Sequence, residues 1–155
     1  MAGTRVSARV PLSSALVNRL VKSALADASA HVRDVEIHPQ AADAFDVRIT
    51  VTWPFVPAFT IHVHIERQPQ FPADPVLVLR WSLLGAAGAL ASRFIASFDR
   101  LPPGVRLEGE HLLLDLRQLA ARASATPLLP FVRTLEVHTV ADRFVLDTEI
   151  VVDSA

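Results

Sequence analysis

Two stretches of the chain alternate strictly between apolar and polar residues. The first, FDVRITVTW, runs from Phe45 to Trp53, and the second, FTIHVHIE, runs from Phe59 to Glu66. Side chains on a β-strand point to opposite faces at successive residues, so the alternation predicts two strands with one apolar and one polar face. Such strands belong to an antiparallel sheet whose apolar face must be covered.

Helical spacing of apolar residues predicts what covers this face. Within Leu83–Phe98 they recur three and four positions apart, which is typical of an amphipathic helix. A second helix is predicted to begin near Ser13, and Asp115 is predicted to cap a short third one. Gly85 and Gly88 each lower the helix propensity by about 1 kcal/mol relative to alanine. Small residues retained at this cost indicate that the helix packs closely on the sheet or, alternatively, that it leaves room for a ligand.

The remaining segments predict further strands and a single domain. These segments are Val32–His38, Val76–Trp81, the hairpin Val105–Asp115, and the closing hairpin of Val132–Thr139 and Phe144–Val152. Prolines separate the elements, and no linker-like or low-complexity segment interrupts them. The chain, residues 1–155, is therefore predicted to be one α+β domain in which a curved antiparallel β-sheet wraps around a long amphipathic helix.

Composition excludes several classes of function. The net charge of -1 predicts no nucleic-acid partner, because nucleic-acid binders normally carry a basic surface. The absence of cysteine excludes a disulfide framework, a zinc finger and a thiol nucleophile. The N-terminal residues lack the unbroken apolar core of a signal peptide, and Leu83–Phe98 is too short to span a membrane, so a cytoplasmic protein is predicted.

The most conspicuous group of polar residues is His62-Val63-His64. Two imidazoles on one strand face lie about 7 Å apart, which one zinc ion can bridge, and Glu66 shares that face. The neighbouring strand presents Asp46 and Arg48, and such a mixture is typical of a solvated face. No metal and no cofactor are therefore predicted, and a zinc-dependent hydrolase is the least favoured hypothesis.

Because nucleophile and phosphate-binding motifs are also lacking, no catalytic residue is predicted, and the protein is predicted not to be an enzyme.

Three aliphatic phrases carry a resemblance to a known family. They are LPPGVRLEG at Leu101–Gly109, LLLDL at Leu112–Leu116 before a short helix, and LLPFVRTL at Leu128–Leu135 before the closing hairpin. In this order they resemble the tubular lipid-binding (TULIP/SMP-like) superfamily, specifically its small bacterial single-module members. The resemblance implies a long helix along a curved antiparallel sheet, with acyl chains held between them. It implies no set of polar functional residues.

Together these observations predict a non-enzymatic binder of a lipid or fatty acyl chain, held in a groove between sheet and helix. The predicted lining residues are Val47, Ile49, Val51, Ile61, Val63, Leu90, Phe94 and Phe98, with Trp53, Phe55 and Phe59 at one mouth. The aromatic mouth also suits transient contact with a membrane surface. The same residues would fill an ordinary core, so a cavity and a filled core are both open. The alternative function is a homodimeric interaction or scaffold protein without a small-molecule ligand.

The assignment of strand faces predicts the effect of one substitution. Ile49→Asp should lower the unfolding temperature, because it would bury an unpaired charge among apolar side chains. Thermal unfolding followed by circular dichroism measures this effect. A variant that unfolded at the wild-type temperature would show that the face had been assigned wrongly.

Overall fold

The structure is a computed structural model, and it describes residues 3–28, 31–83, 89, 93 and 101–153. This part of the chain is mostly antiparallel β-sheet. The strands are β1 (Thr4–Ser13), β2 (Val32–Gln40), β3 (Ala44–Val51), β4 (Phe59–Arg67), β5 (Val76–Leu83), β6 (Val105–Glu108), β7 (His111–Asp115), β8 (Val132–Val140) and β9 (Arg143–Val152). The helices are α1 (Ser14–Ala28) and α2 (Leu116–Arg122), and a 3-10 helix covers Thr126–Phe131.

The strands form two separate sheets. A six-stranded sheet has the order β2-β3-β4-β5-β7-β6, and a three-stranded sheet has the order β1-β9-β8. Every pairing is antiparallel, as the alternating strands predicted. The predicted strands from Val32 onward are confirmed, and the Asp115 side chain caps α2 by accepting from the backbone N–H groups of Arg117 and Gln118.

The prediction that one curved sheet wraps around a long amphipathic helix is wrong. The described residues form two sheets, and the longest helix delimited among them, α1, has 15 residues. Of the predicted helix Leu83–Phe98, Leu83 ends β5 while Ala89 and Arg93 are helical; the other residues lie outside the described part of the chain. No helix of the described residues is long and apolar enough to cross a membrane.

The physical reason for a second sheet is β1, which the sequence analysis missed. This strand pairs with β9 along its whole length, from Thr4 opposite Val152 to Ser13 opposite Arg143. The first and last described strands therefore hydrogen-bond to each other, and the closing hairpin forms a sheet with β1 instead of extending the central sheet.

The core lies on one face of the six-stranded sheet and continues toward the second sheet. Its larger cluster comes from β3, β4 and β5, and a smaller one joins Val35 and Ile37 of β2 to Phe144 of β9. The rings of Phe45 and Phe144 meet edge to face, with their centroids 5.3 Å apart. Because Phe45 belongs to one sheet and Phe144 to the other, this contact makes the two apolar faces continuous.

Helix α1 packs on the edge of β2. Its Val17 and Val21 contact the smaller core cluster. Asn18 lies between them and satisfies the free edge of the strand: its amide Nδ2 donates to the carbonyl oxygen of Ile37 at 3.2 Å, and its Oδ1 accepts from the Ile37 N–H. The side-chain amide thus takes the place of a neighbouring strand, which protects an edge from pairing with other chains.

The second sheet is attached to the first through the edge of β8. Gln68, just after β4, donates from Nε2 to the carbonyl oxygen of Val137 at 2.6 Å and accepts from the Val137 N–H at 2.9 Å. Thr139 lies two residues after Val137 on β8, and its backbone N–H donates to the Asp43 carboxylate at 3.0 Å. Asp43 lies in the turn between β2 and β3, with φ 58°. Side chains of the large sheet therefore supply the hydrogen bonds for the β8 edge.

Replacing Gln68 tests this attachment. Gln68→Leu should lower the free energy of unfolding by about 1–3 kcal/mol, since it removes the partners of two part-buried backbone groups. Gln70→Leu, at an exposed position in the same loop, is the matched control and should change stability by less than about 0.5 kcal/mol. Urea unfolding measures both values, and equal midpoints for the two variants would contradict the role assigned to Gln68.

Candidate functional site

The strand residues of the predicted ligand site lie together on the apolar face of β3 and β4. Ile49, Val51, Phe59, Ile61 and Val63 are all buried, with at most 8% of each residue exposed, and Val47 is half-buried. The register places Val47 opposite Ile61 and Ile49 opposite Phe59. The strand faces are therefore as predicted, while ligand binding by these residues stays a prediction.

The apolar face extends further than predicted, onto β5 and β7. Leu77 and Leu79 are buried in the same cluster, and Trp81, Leu112 and Leu114 pack against it. Sequence reasoning missed Trp81 as a candidate because VLVLRW is apolar at successive positions and gives no alternation to assign a face. The register supplies the assignment, since Trp81 lies opposite Val63 of β4.

The predicted aromatic mouth lies in the loop between β3 and β4. Phe59 is buried at the start of β4, and Trp53 is half-buried, with its ring centroid 5.4 Å from that of His31. Phe55 is fully exposed, with a relative accessibility of 102% and a left-handed backbone φ of 62°. The loop thus places one aromatic side chain in the core, one at its border and one in solvent.

The helical part of the predicted site is described at two positions only. Leu90, Phe94 and Phe98 lie outside the described residues. Arg93, which is helical and exposed, holds its guanidinium 5.9 Å from the centroid of the Trp53 ring. This distance suits a cation–π contact and places residue 93 beside the aromatic mouth.

The three-stranded sheet adds a partly open apolar surface to the site. Its inner face carries the even-numbered residues of β1 and β9, which lie opposite one another in the register. Leu12 and Phe144 pack into the core, whereas Val6 is 49% exposed and Val10 is 42% exposed. The continuous apolar surface is therefore buried near the six-stranded sheet and opens toward solvent along β1.

Among the described residues, depressions open to solvent lie on both sheets. The larger of two, about 320 Å³, lies on the three-stranded sheet and is lined by Ser7, Ala8, Arg9, Thr134, Glu136, Asp147, Thr148 and Glu149. The smaller, about 230 Å³, is lined by Asp34, Glu36, Arg48 and Thr50. Neither includes a residue of the predicted apolar site.

Histidine–carboxylate pairs occupy the polar face of the six-stranded sheet. His62 Nδ1 lies 2.5 Å from an Asp46 carboxylate oxygen, and His111 Nε2 lies 2.7 Å from one of Glu66. Glu66, the third residue of the zinc hypothesis, thus pairs with a histidine two strands away. Within the described ranges, no group of three histidine, aspartate or glutamate residues could hold a metal ion.

His138 lies at the junction between the sheets. Its Nε2 is 3.1 Å from Glu136 of β8, and its Nδ1 is 3.1 Å from Asp43 of the β2–β3 turn. The hydrogen bond to Glu136, opposed by partial burial and assisted by Asp43, raises the pKa of His138 above its ordinary value. Protonated His138 therefore strengthens the attachment of β8 to the large sheet.

Compared with known proteins, the chain matches no protein family, no curated protein and no solved structure. The resemblance to the tubular lipid-binding superfamily is not tested by these comparisons and stays a prediction. The function must be inferred from the apolar surface and its aromatic border.

The environment of His138 predicts a pH dependence of stability. Because its pKa is raised in the folded state, the stabilisation is fully present below the unfolded value of about 6.5 and is lost as pH rises through the higher folded value. In the variant His138→Gln, the unfolding temperature should fall less than in the wild type as the pH rises through this window. His64→Gln, on the exposed side of β4, is the control and should leave the fall unchanged; the same slope in all three proteins would contradict this assignment.

Proposed function

We propose that this protein binds a lipid or fatty acyl ligand, without catalysing a reaction, against the apolar surface shared by the two sheets. The observation that carries the proposal is the loop from Trp53 to Phe59. It runs from the buried apolar face to a fully exposed phenylalanine, Phe55, and so supplies an apolar path between solvent and the sheet interior.

The conformation of Phe55 supports a functional role for this loop. A bulky side chain at positive φ is uncommon, and such strain persists mainly where the surrounding structure or a function requires it. An exposed phenylalanine adds an unfavourable contact with water. Burying it against an acyl chain or in a membrane surface would regain about 1.5–3 kcal/mol.

The apolar surface itself suits a ligand held by shape and desolvation. On the described strands it consists mainly of aliphatic and aromatic side chains, with Thr139 buried opposite Phe144, and it becomes accessible along β1 at Val6 and Val10. Ligand contacts of this kind are distributed over many side chains, so affinity should depend little on any single aliphatic residue. The charged groups of the large sheet lie mostly on its opposite face.

A homodimer without a ligand is the second candidate, and the exposed side of β1 favours it. This strand is at the edge of its sheet, and the inner face near it leaves Val6, Val10 and Val152 more than two-fifths exposed. An edge strand with exposed apolar residues is a template for pairing with a second chain. The same valines would then be buried between two copies.

Substitution of Phe55 tests the proposal directly. Phe55→Ser should slow the uptake of a pyrene-labelled fatty acid from vesicles by roughly tenfold, since about 1.4 kcal/mol of apolar contact at the entrance changes a rate by that factor. Val140→Ser, which removes an exposed valine from the outer face of the three-stranded sheet, is the matched control and should leave uptake unchanged. Stopped-flow fluorescence measures the rate.

Native mass spectrometry of the purified wild-type protein separates the two candidates. Co-purified lipid on a monomer supports the proposed function. A ligand-free dimer, combined with no uptake of the labelled fatty acid, would favour the homodimer and contradict lipid binding.

A further inference from the structure

The loop between β3 and β4 projects one phenylalanine into solvent from a fixed base. Trp53 and Val56 pack against the larger core cluster, and Phe55 between them is fully exposed, with a relative accessibility of 102%. Its backbone is left-handed, with φ 62°, a conformation that bulky residues rarely adopt. The loop therefore holds an apolar side chain in water, although residues on both sides of it pack on the core.

The tip of this loop can leave water at a low cost in hydrogen bonds. Pro54 and Pro57 are both exposed, and neither has a backbone N–H to desolvate. The N–H of Thr52 already donates to the carbonyl oxygen of His31 at 2.9 Å. Backbone donors that enter a membrane lose their hydrogen bonds to water, so a tip with few free donors is suited to insertion.

Two exposed arginines flank the loop. The Arg93 guanidinium lies 5.9 Å from the centroid of the Trp53 ring. Arg33 is the second residue of β2, which begins beside the loop because Val32 lies opposite Val51, the last residue of β3. Within the described residues, neither arginine forms an ion pair.

Carboxylates are absent from the sequence around this loop. None occurs between Asp46 and Glu66, and each of these two pairs with a histidine. An apolar tip with positive charges beside it complements a bilayer with anionic headgroups. A bilayer also fits better than a protein, because one aromatic side chain buries about 150–250 Å² whereas a stable protein interface needs about 800 Å² from each partner.

We propose that the loop from Trp53 to Pro57 docks this protein on an anionic lipid bilayer. Phe55 inserts among the acyl chains, and Arg33 and Arg93 contact the headgroups. The inference rests on the proposed function, because it names the bilayer as the source from which the acyl ligand is taken. One inserted side chain and two arginines give weak, reversible binding, which suits a protein that must leave the membrane with its ligand.

A fluorescent label at position 55 tests the docking directly. The chain has no cysteine, so Phe55→Cys carries a nitrobenzoxadiazole label at one site only. Vesicles of phosphatidylcholine and phosphatidylglycerol in equal parts should raise the emission of this label and shift it to shorter wavelength. The same label at Leu128→Cys, a position 61% exposed in the 3-10 helix, is the matched control and should not respond.

Charge reversal tests the contact with the headgroups. Arg93→Glu should weaken the co-flotation of unlabelled protein with these vesicles by about fivefold or more, because each arginine near an anionic surface contributes about that factor. Arg133→Glu, at an exposed position of β8, changes the net charge equally and should float as the wild type does. Equal weakening by the two substitutions would overturn the proposed orientation.

Uptake of a fatty acid supplied on albumin, without vesicles, separates this inference from the proposed function. Wild-type protein that takes up the fatty acid but does not float with the vesicles would overturn the docking and leave the proposed function intact. Flotation without a response from the label at position 55 would also overturn the inference, because another surface would then bind the bilayer. Flotation with a responding label but without uptake would support the docking and contradict the proposed function.

Discussion

The edge of β8 is the constraint on which the rest of this structure depends. An outer strand leaves backbone N–H and C=O groups unpaired, and these must be satisfied wherever they are shielded from water. Here Gln68 forms both hydrogen bonds to Val137, and Asp43 accepts from the next outward-facing N–H, that of Thr139. A side-chain amide carries the same donor and acceptor as a peptide group, so it can end a sheet without adding a strand. The two sheets are thereby joined while their strands remain unpaired with each other.

This junction makes the apolar surface larger than either sheet could provide. Phe45 and Phe144 meet across it, and Val137 packs against the core clusters on both sides. From there the surface runs one way toward the buried face of β3, β4 and β5, and the other way toward the partly exposed residues of β1. The proposed ligand site depends on this continuity, because a single sheet would give only one half of the surface.

The polar groups are distributed in a way that keeps the apolar surface free of charge. Histidine–carboxylate pairs such as His62 with Asp46 satisfy one another on the opposite face of the large sheet. His138 extends this arrangement to the junction, where its protonation affects how the sheets are held. Two exceptions lie within the described residues, since Trp81 Nε1 and Thr139 Oγ1 are buried polar atoms without a hydrogen-bond partner.

The sequence by itself determined the features that depend on neighbouring residues. Alternation with a period of two assigned Ile49 and Ile61 to the buried face, and the side chain of Asp115 marked the start of α2, because both effects act over a few residues. TRVSARV alternates equally well between polar and apolar residues. A strand can be assigned to a sheet only when its partner is known, however, and the partner β9 lies more than a hundred residues away along the chain. The hydrogen bonds between Gln68 and Val137 could not be predicted either, because the two residues are 69 positions apart. Nor could the sequence show that the indole N–H of Trp81 is unpaired, since this depends on which atoms surround it in the folded structure. The tertiary structure alone decided the division into two sheets, because pairing between distant segments depends on which edges meet in space.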